Sequence, residues 1–308
     1  MKRVEDFKLE KEIGFSELID QMKKSGGFSS KHLAVAAEIL ENMIKNKECK
    51  KFLSFPADII ATGTRGIIKD MIKRKWFDVI ITTCGTLDHD IARSFKDYYQ
   101  GSFLADDWEL RKKGIHRLGN VFVPRESYGE IIEKKTSEWL NEIYQERKEV
   151  STYELCWELG KRIDNEDSIL FWAHKNKIPI IVPGITDGAV GYQLWFFWQD
   201  GHKDFKINVL KDEQLLNDLI WDSKVTGALI LGGGISKHHV IWWNQFKEGL
   251  DYAVYISTAV EWDGSLSGAR PREAVSWSKI KEKARTIFLN SDITIALPII
   301  YSYLLEKV

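Results

Sequence analysis

The sequence predicts an α/β fold, with a mostly parallel central sheet and helices on both faces. Three observations carry that expectation. Apolar, β-rich runs alternate with amphipathic stretches at helical spacing, and most of those runs end in a loop of Gly, Thr or Asp. The chain has 308 residues, 44% hydrophobic and 29% charged, enough to bury a large core.

Taken in order, residues 1–26 read as an N-terminal arm ending at Gly26-Gly27, and residues 27–308 as a single domain. Leu33, Ala36, Ala37, Leu40, Met43 and Ile44 recur at helical spacing behind Ser29 or Ser30 as cap. Lys51–Phe55 reads as a strand, followed by the loop Ala57–Gly63 and a helix from Arg65 to Lys75. Phe77–Thr83 reads as the next strand, with a loop over Cys84–Asp88 and a helix through Tyr99. Residues 130–175 are helical and charged, with Tyr153–Gly160 clearly amphipathic. Three further strands are expected at Ile178–Val182, Gly227–Leu231 and Tyr252–Ile256. They run into Thr186-Asp187-Gly188, Gly232-Gly233-Gly234 and Ser257-Thr258-Ala259. No Ser/Gly/Pro linker or internal repeat divides the chain.

Composition narrows the function classes. The 44 basic and 45 acidic residues nearly cancel, so no global field selects nucleic acid or an anionic membrane. Basic residues are not interleaved with aromatics along any one segment, which also points away from nucleic acid. Cys49, Cys84 and Cys156 are an odd, widely spaced set with no CxxC, which argues against disulfides and structural zinc and for a reducing cytoplasm. The first residues turn acidic without an apolar core and no run has the length of a membrane span, so a non-exported protein without membrane attachment is expected. The seven histidines show neither HxxxH nor HExxH, and no metal is expected.

In a parallel sheet the loops after the strands gather at one edge, where backbone N–H groups and helix N-termini favour anions. Asp58–Gly63, Thr83-Cys84-Gly85, Thr186–Gly188, Gly232–Gly234 and Thr258-Ala259 all hold that position. Glycine at one helix entry says little beyond tight packing. Five such loops point to a nucleotide-sized ligand, although neither GxGxxG nor a P-loop is present.

Two segments offer side-chain chemistry. Ser236-Lys237-His238-His239 follows the glycines; an imidazole there suits a general base, and equally a cap or solvated group. Glu261, Asp263 and Glu273, with Trp262 and Trp277, put carboxylates and indoles within a short span that an organic cation would fit, or that simply covers a Trp-lined core. Lys279 follows Trp277 through a Gly/Pro-containing loop; partial desolvation there would ease its deprotonation and make it a nucleophile.

Three long runs carry a resemblance. They are Gly227-Ala-Leu-Ile-Leu-Gly-Gly-Gly-Ile-Ser-Lys-His-His239, Asp251-Tyr-Ala-Val-Tyr-Ile-Ser-Thr-Ala259 and Asp263-Gly-Ser-Leu-Ser-Gly-Ala-Arg-Pro-Arg-Glu-Ala-Val-Ser-Trp-Ser-Lys279. With Thr82–Asp90, Arg117–Asn120 and Pro183–Gly188, they closely resemble deoxyhypusine synthase over nearly the whole chain after the arm. The resemblance implies a Rossmann-like NAD-binding fold, a homotetramer with interfacial active sites, NAD as cofactor and spermidine as donor. It implies transfer of the 4-aminobutyl group, through an imine on Lys279, to one lysine of the translation initiation factor 5A precursor.

By motif, Lys279 matches the active-site lysine and His238 the base. Glu273, Trp277, Asp88, His89, Gly264 and Ser265 match substrate positions. Asp58, Ala61, Thr83, Cys84, Gly85, Asp187, Gly232, Gly233, Gly234, Thr258, Ala259, Asp263 and Asp292 match positions around NAD. The chain departs from the eukaryotic pattern in an archaeal-type way. Tyr192 and Leu266 stand where those enzymes have Asp, Asp88-His89 where they have Glu-Glu, and Ala57-Asp58-Ile-Ile-Ala61 where they have Ser-Asn-x-x-Ser. Fewer carboxylates then remain for the amine. Two alternatives are homospermidine-synthase-like transfer to a free amine such as putrescine, and a catalytically inactive regulatory subunit of a mixed tetramer.

Overall fold

The computed structural model describes residues 1–308. In chain order the elements are α1 (Phe15–Lys24), α2 (Phe28–Lys45), β1 (Cys49–Ser54), α3 (Thr64–Lys73), β2 (Val79–Ile81), α4 (Cys84–Phe95), β3 (Tyr99–Gln100) and α5 (Asp107–Lys112). Next come β4 (Ile115–Leu118), β5 (Val121–Pro124), α6 (Gly129–Glu146), β6 (Glu149–Val150), α7 (Thr152–Arg162), α8 (Ile169–Asn176), β7 (Ile180–Ile181), α9 (Ala189–Gln199) and β8 (Lys206–Ile207). The chain closes with α10 (Val209–Trp221), β9 (Val225–Leu231), α11 (Gly234–Asn244), β10 (Leu250–Ser257), α12 (Pro271–Val275), β11 (Ile280–Asn290) and α13 (Ile293–Lys307). Two compact units result: the first is residues 1–55, 76–81 and 215–308, the second 56–75 and 82–214. No helix is long and apolar enough to cross a membrane.

In the first unit five strands lie in the order β11-β10-β9-β1-β2, every pair parallel. Strands covered on both faces read as unbroken apolar runs, and β9 and β10 are buried almost throughout. Carboxylates fix two strand entries: Asp78 accepts from the Lys51 amide at 2.8 Å and Asp251 from the Thr226 amide at 2.9 Å. Helix α2 lays Ala36, Ala37, Leu40 and Met43 on the sheet. At Gly227 a Cβ would stand 2.6 Å from the Met43 sulfur, so the bare glycine lets the Met43 side chain of α2 lie directly on β9. Residues expected to form an arm are held here, since the Phe15 and Ser16 amides at the start of α1 donate to the Glu306 carboxylate of α13 at 2.9 and 2.8 Å.

The second unit is mainly helical, with an antiparallel sheet in the order β3-β5-β4 and a short parallel pair of β6 and β8. Buried aspartates organise its helix entries. Asp90 accepts from the Ile169 and Leu170 amides, the Ser168 hydroxyl and Arg65 at 2.7–3.0 Å, and so caps α8. Asp212 accepts from the Thr152 and Tyr153 amides at 3.1 Å and does the same for α7.

The mostly parallel sheet agrees with the expectation, while several local boundaries differ. Helix α4 begins at Cys84, so the segment expected to be a loop over Cys84–Asp88 is its first turns. That helix ends at Phe95, and Tyr99 lies on β3. Strand β11 was not expected from the sequence. Its charged Lys-Glu-Lys segment at 281–283 suits the edge of the sheet, where lysines deter pairing with another chain.

Candidate functional site

In the first unit the site grows from the end of β9. The chain turns through Gly232, φ +70°, whose amide donates to the Ile256 carbonyl at 2.8 Å, and enters α11 at Gly234, φ +69°. A Cβ on Gly233 would lie 2.2 Å from the Ser267 hydroxyl oxygen and 2.4 Å from the Ser267 Cα, so the glycine turn and the following loop pack backbone to backbone. Neither Gly233 nor any side chain caps the first amides of α11.

The first turn of α11 sends Lys237 inward and His238 towards the rim. Lys237 is 1% exposed, its ammonium donates to the carbonyls of Leu266 and Ala269 at 2.8 Å each, and it stands 4.4 Å over the Tyr255 ring. Burial pushes this lysine down to about 8, partly offset by the charge of Glu273. His238 is lowered by burial, and further by the positive charge of Lys279. Its ring stacks on Trp242, one helical turn on, at 5.7 Å.

The loop after β10 completes the wall. Asp263 accepts from the Ser265 amide at 2.7 Å and the Ser265 hydroxyl from the Ser267 amide at 3.1 Å, a pair of short turns with Gly264 at φ +75°. Glu261 is engaged by Arg272 at 3.0 Å and Arg270 at 3.8 Å. Of the three carboxylates singled out in this stretch, Glu273 alone lines the cavity, and Trp262 stays 84% exposed.

After α12, Ser278 at φ +55° turns the chain sharply, letting the Lys279 amide donate to Ala274 at 2.9 Å. The turn sets Trp277 and Lys279 side by side. Lys279 itself is 8% exposed, with Nζ 5.2 Å from the Trp277 ring and 5.8 Å from the Trp242 ring. The result is a cavity of about 200 Å³, lined by Lys237, His238, Tyr255, Leu266, Glu273, Trp277 and Lys279 among others. The Tyr255 hydroxyl is buried there with no hydrogen-bond partner. Sequence reasoning missed Lys237 and Tyr255, although Lys237 stands directly before His238. Thr258 and Ala259 lie at the end of β10, and Asp292 caps α13 by accepting from the Thr294 amide at 2.8 Å.

The remaining candidates belong to the second unit. Thr83 precedes α4 without a side-chain cap bond; Cys84 is buried, its thiol pushed up by burial; Gly85 faces Ala57. Asp58 is exposed and Ala61 buried on the 3-10 turn Ala57–Ala61, and Asp187 is exposed in the turn before α9. Asp88, 1% exposed, spends both oxygens on the first amides of α9: Ala189 and Val190 donate at 2.8 Å and Tyr128 at 2.9 Å. Burial raises that carboxyl. His89 contacts the Tyr98 hydroxyl at 2.9 Å and is pushed down to about 4 by burial. It opens on a second cavity of about 310 Å³ with His116, Arg117, Leu118, Val123 and Tyr128.

Comparison with known proteins adds the relationship. The family model described as deoxyhypusine synthase matches residues 17–304. A Picrophilus torridus protein named "Probable deoxyhypusine synthase" is 57% identical over 98% of this chain and 97% of its own length. One of the same name from Thermoplasma acidophilum is 54% identical over 96% and 95%. The crystal structure of an Entamoeba histolytica protein assigned to this family superposes with a TM-score of 0.66 over 97% of this chain and 96% of that one. At 20% identity it speaks to the fold alone.

Proposed function

The chain belongs to the deoxyhypusine synthase family, which makes it a transferase acting in deoxyhypusine synthesis, and on that premise we propose NAD-dependent transfer of the 4-aminobutyl group of spermidine to one lysine of the translation initiation factor 5A precursor. The observation that carries the reading is the meeting of Lys279, His238, Glu273 and Trp277 around one cavity. A lysine, an imidazole, a carboxylate and an indole are what imine exchange on an alkyl amine requires.

The chain offers fitting groups for NAD. In the first unit the helix entry at Gly234 has first amides that no side chain caps, so phosphate oxygens can approach those backbone N–H groups. In the first unit Gly232, Gly233, Gly234, Thr258, Ala259, Asp263 and Asp292 would hold the cofactor. When bound, NAD supplies a hydride acceptor for spermidine and later a hydride donor for the product imine.

The chain's own residues do the rest. His238, held neutral near pH 7 by burial and by Lys279, takes the proton that leaves the amine nitrogen as the carbon–nitrogen bond is oxidised. Lys279, having given its ammonium proton to solvent, adds through Nζ to that imine carbon; its two remaining amine protons pass to the departing nitrogen, the bond to that nitrogen breaks, 1,3-diaminopropane leaves, and the aminobutylidene group stays on Lys279. The acceptor lysine adds to the same carbon, Lys279 departs as the free amine, and reduction fixes the group on the acceptor. Glu273 pairs with the distal ammonium. Trp277 covers the imine and keeps water from hydrolysing it. Gly264 and Ser265, in the loop after β10, shape the approach of the amine. The same reading carries a homotetramer in the cytoplasm.

The test is to incubate the protein with NAD and labelled spermidine, offering the factor 5A precursor or putrescine. Label on one lysine of the factor is expected. Unlabelled factor together with labelled homospermidine would replace this acceptor with a free amine.

A further inference from the structure

Lys279 is 8% exposed, yet the two indoles nearest its amine are open to solvent, Trp242 at 43% and Trp277 at 64%. The Lys279 amine stands 5.8 Å from the Trp242 ring and 5.2 Å from the Trp277 ring, within the distance at which a cation is attracted to a ring quadrupole. The rings arrive from separate elements. Trp277 comes from the turn after α12, and Trp242 from α11, four residues after His238 and stacked on it at an interplanar angle of 25°.

Charge sharpens the point. Around this amine the cavity carries one carboxylate, Glu273, against Lys237, Arg270 and Lys279. Leu266, which lines the same cavity, brings no charge. A cationic amine or iminium entering here finds few anionic partners and must gain its stabilisation elsewhere. Tryptophan is the best aromatic partner for an alkylammonium, and its attraction strengthens when both are shielded from water.

We propose that Trp242 is a specificity-determining residue: with Trp277 it forms an aromatic clamp beside Lys279 Nζ, binding the cationic nitrogen of an alkyl polyamine as it reacts there. The inference rests on the aminobutyl-transfer reading and deepens it, by giving to an indole part of the work that carboxylates would otherwise do. Through its stack on His238 the same ring also holds the imidazole beside the amine.

The experiment compares Trp242→Leu, which keeps apolar bulk without the π face, with Trp242→Phe, which keeps a π face. In the wild type, borohydride is first added during incubation with NAD and spermidine to trap an aminobutyl adduct on Lys279. The KM for spermidine should rise roughly 5- to 30-fold in Trp242→Leu and return to within about 3-fold of wild type in Trp242→Phe, with NAD affinity unchanged in both. An unchanged KM in Trp242→Leu, an equal rise in both variants, or a loss confined to kcat would overturn the clamp while leaving the reaction intact. Absence of any NAD-dependent adduct on wild-type Lys279 would instead overturn the reaction, and the clamp with it.

Discussion

The ammonium of Lys237 donates to the carbonyl of Leu266 at 2.8 Å, and this bond, with its twin to Ala269, ties the first turn of α11 to the loop before α12. A buried lysine is tolerated because its charge meets two backbone oxygens. Replacing it with methionine keeps most of the volume but leaves those carbonyls without the ammonium. Lys237→Met is expected to cost about 1.5–3 kcal/mol in urea unfolding at pH 7, the range for hydrogen bonds to a charged group. It should also lower transfer activity, because Leu266 and Ala269 line the cavity.

The same lysine predicts a pH signature. Its folded value, about 8, lies below the ordinary 10.5. Between those values the unfolded chain binds more protons than the folded one, so this group makes stability rise with pH from about 8 towards 10.5. Urea midpoints at pH 8 and pH 10 should show this contribution in the wild type and lose it in Lys237→Met. An identical pH slope in both proteins would contradict the placement of the charge.

At Gly233 the prediction is steric. An added Cβ would overlap both the Ser267 side chain and its Cα, and the Cα cannot swing away. Gly233→Ala should shift the glycine turn, weaken NAD binding at least about ten-fold and cost about 1–3 kcal/mol, as overpacking does. Calorimetric titration with NAD and thermal unfolding measure the two effects. Wild-type affinity in the alanine variant would exclude this turn from the cofactor site.

What the sequence could and could not display follows from where each signal lies. The run from Gly227 to Lys279 was legible because its strands are buried on both faces and its loop residues are consecutive. Lys237 was not, because a lysine in a helix ordinarily reads as solvated, and its burial depends on carbonyls 29 and 32 residues further on. Trp242 merged into a high tryptophan count, since no local pattern announces an ammonium arriving from the far side of a turn. Strand β11 was hidden by its charged segment. Glu261, Asp263 and Glu273 looked alike in sequence; the arginines at 270 and 272 and the turn at Ser265 separate them.

Asp88 tests how a carboxylate is used in the second unit. It satisfies two amides at the start of α9 from 101 and 102 residues away, a relation no spacing rule contains. In Asp88→Asn one oxygen becomes an NH₂ facing a backbone donor, leaving at least one buried group unsatisfied. A loss of about 1–3 kcal/mol is expected, read as a lower thermal midpoint. A neutral substitution would mean that the first turn of α9 has other acceptors.

The last prediction concerns the pair His238 and Lys279. The imidazole is lowered first by burial and then by the positive charge of Lys279. Removing that charge while keeping the stem, as in Lys279→Met, should therefore raise the His238 value towards the ordinary one, because the protonated ring no longer faces a like charge. The sign separates the two causes: a change in burial from a better-packed methionine would lower the value further. Histidine ring-carbon resonances followed by NMR between pH 4 and 8, assigned with His238→Gln, read it directly. In transfer assays Lys279→Met should lose activity by more than about a hundredfold, while NAD-dependent oxidation of spermidine continues at a reduced rate, since oxidation needs the imidazole and transfer needs the amine. Equal loss of both activities would assign Lys279 to amine binding rather than to carrying the aminobutyl group. An unmoved or lowered His238 value would show that the two side chains are not coupled through charge.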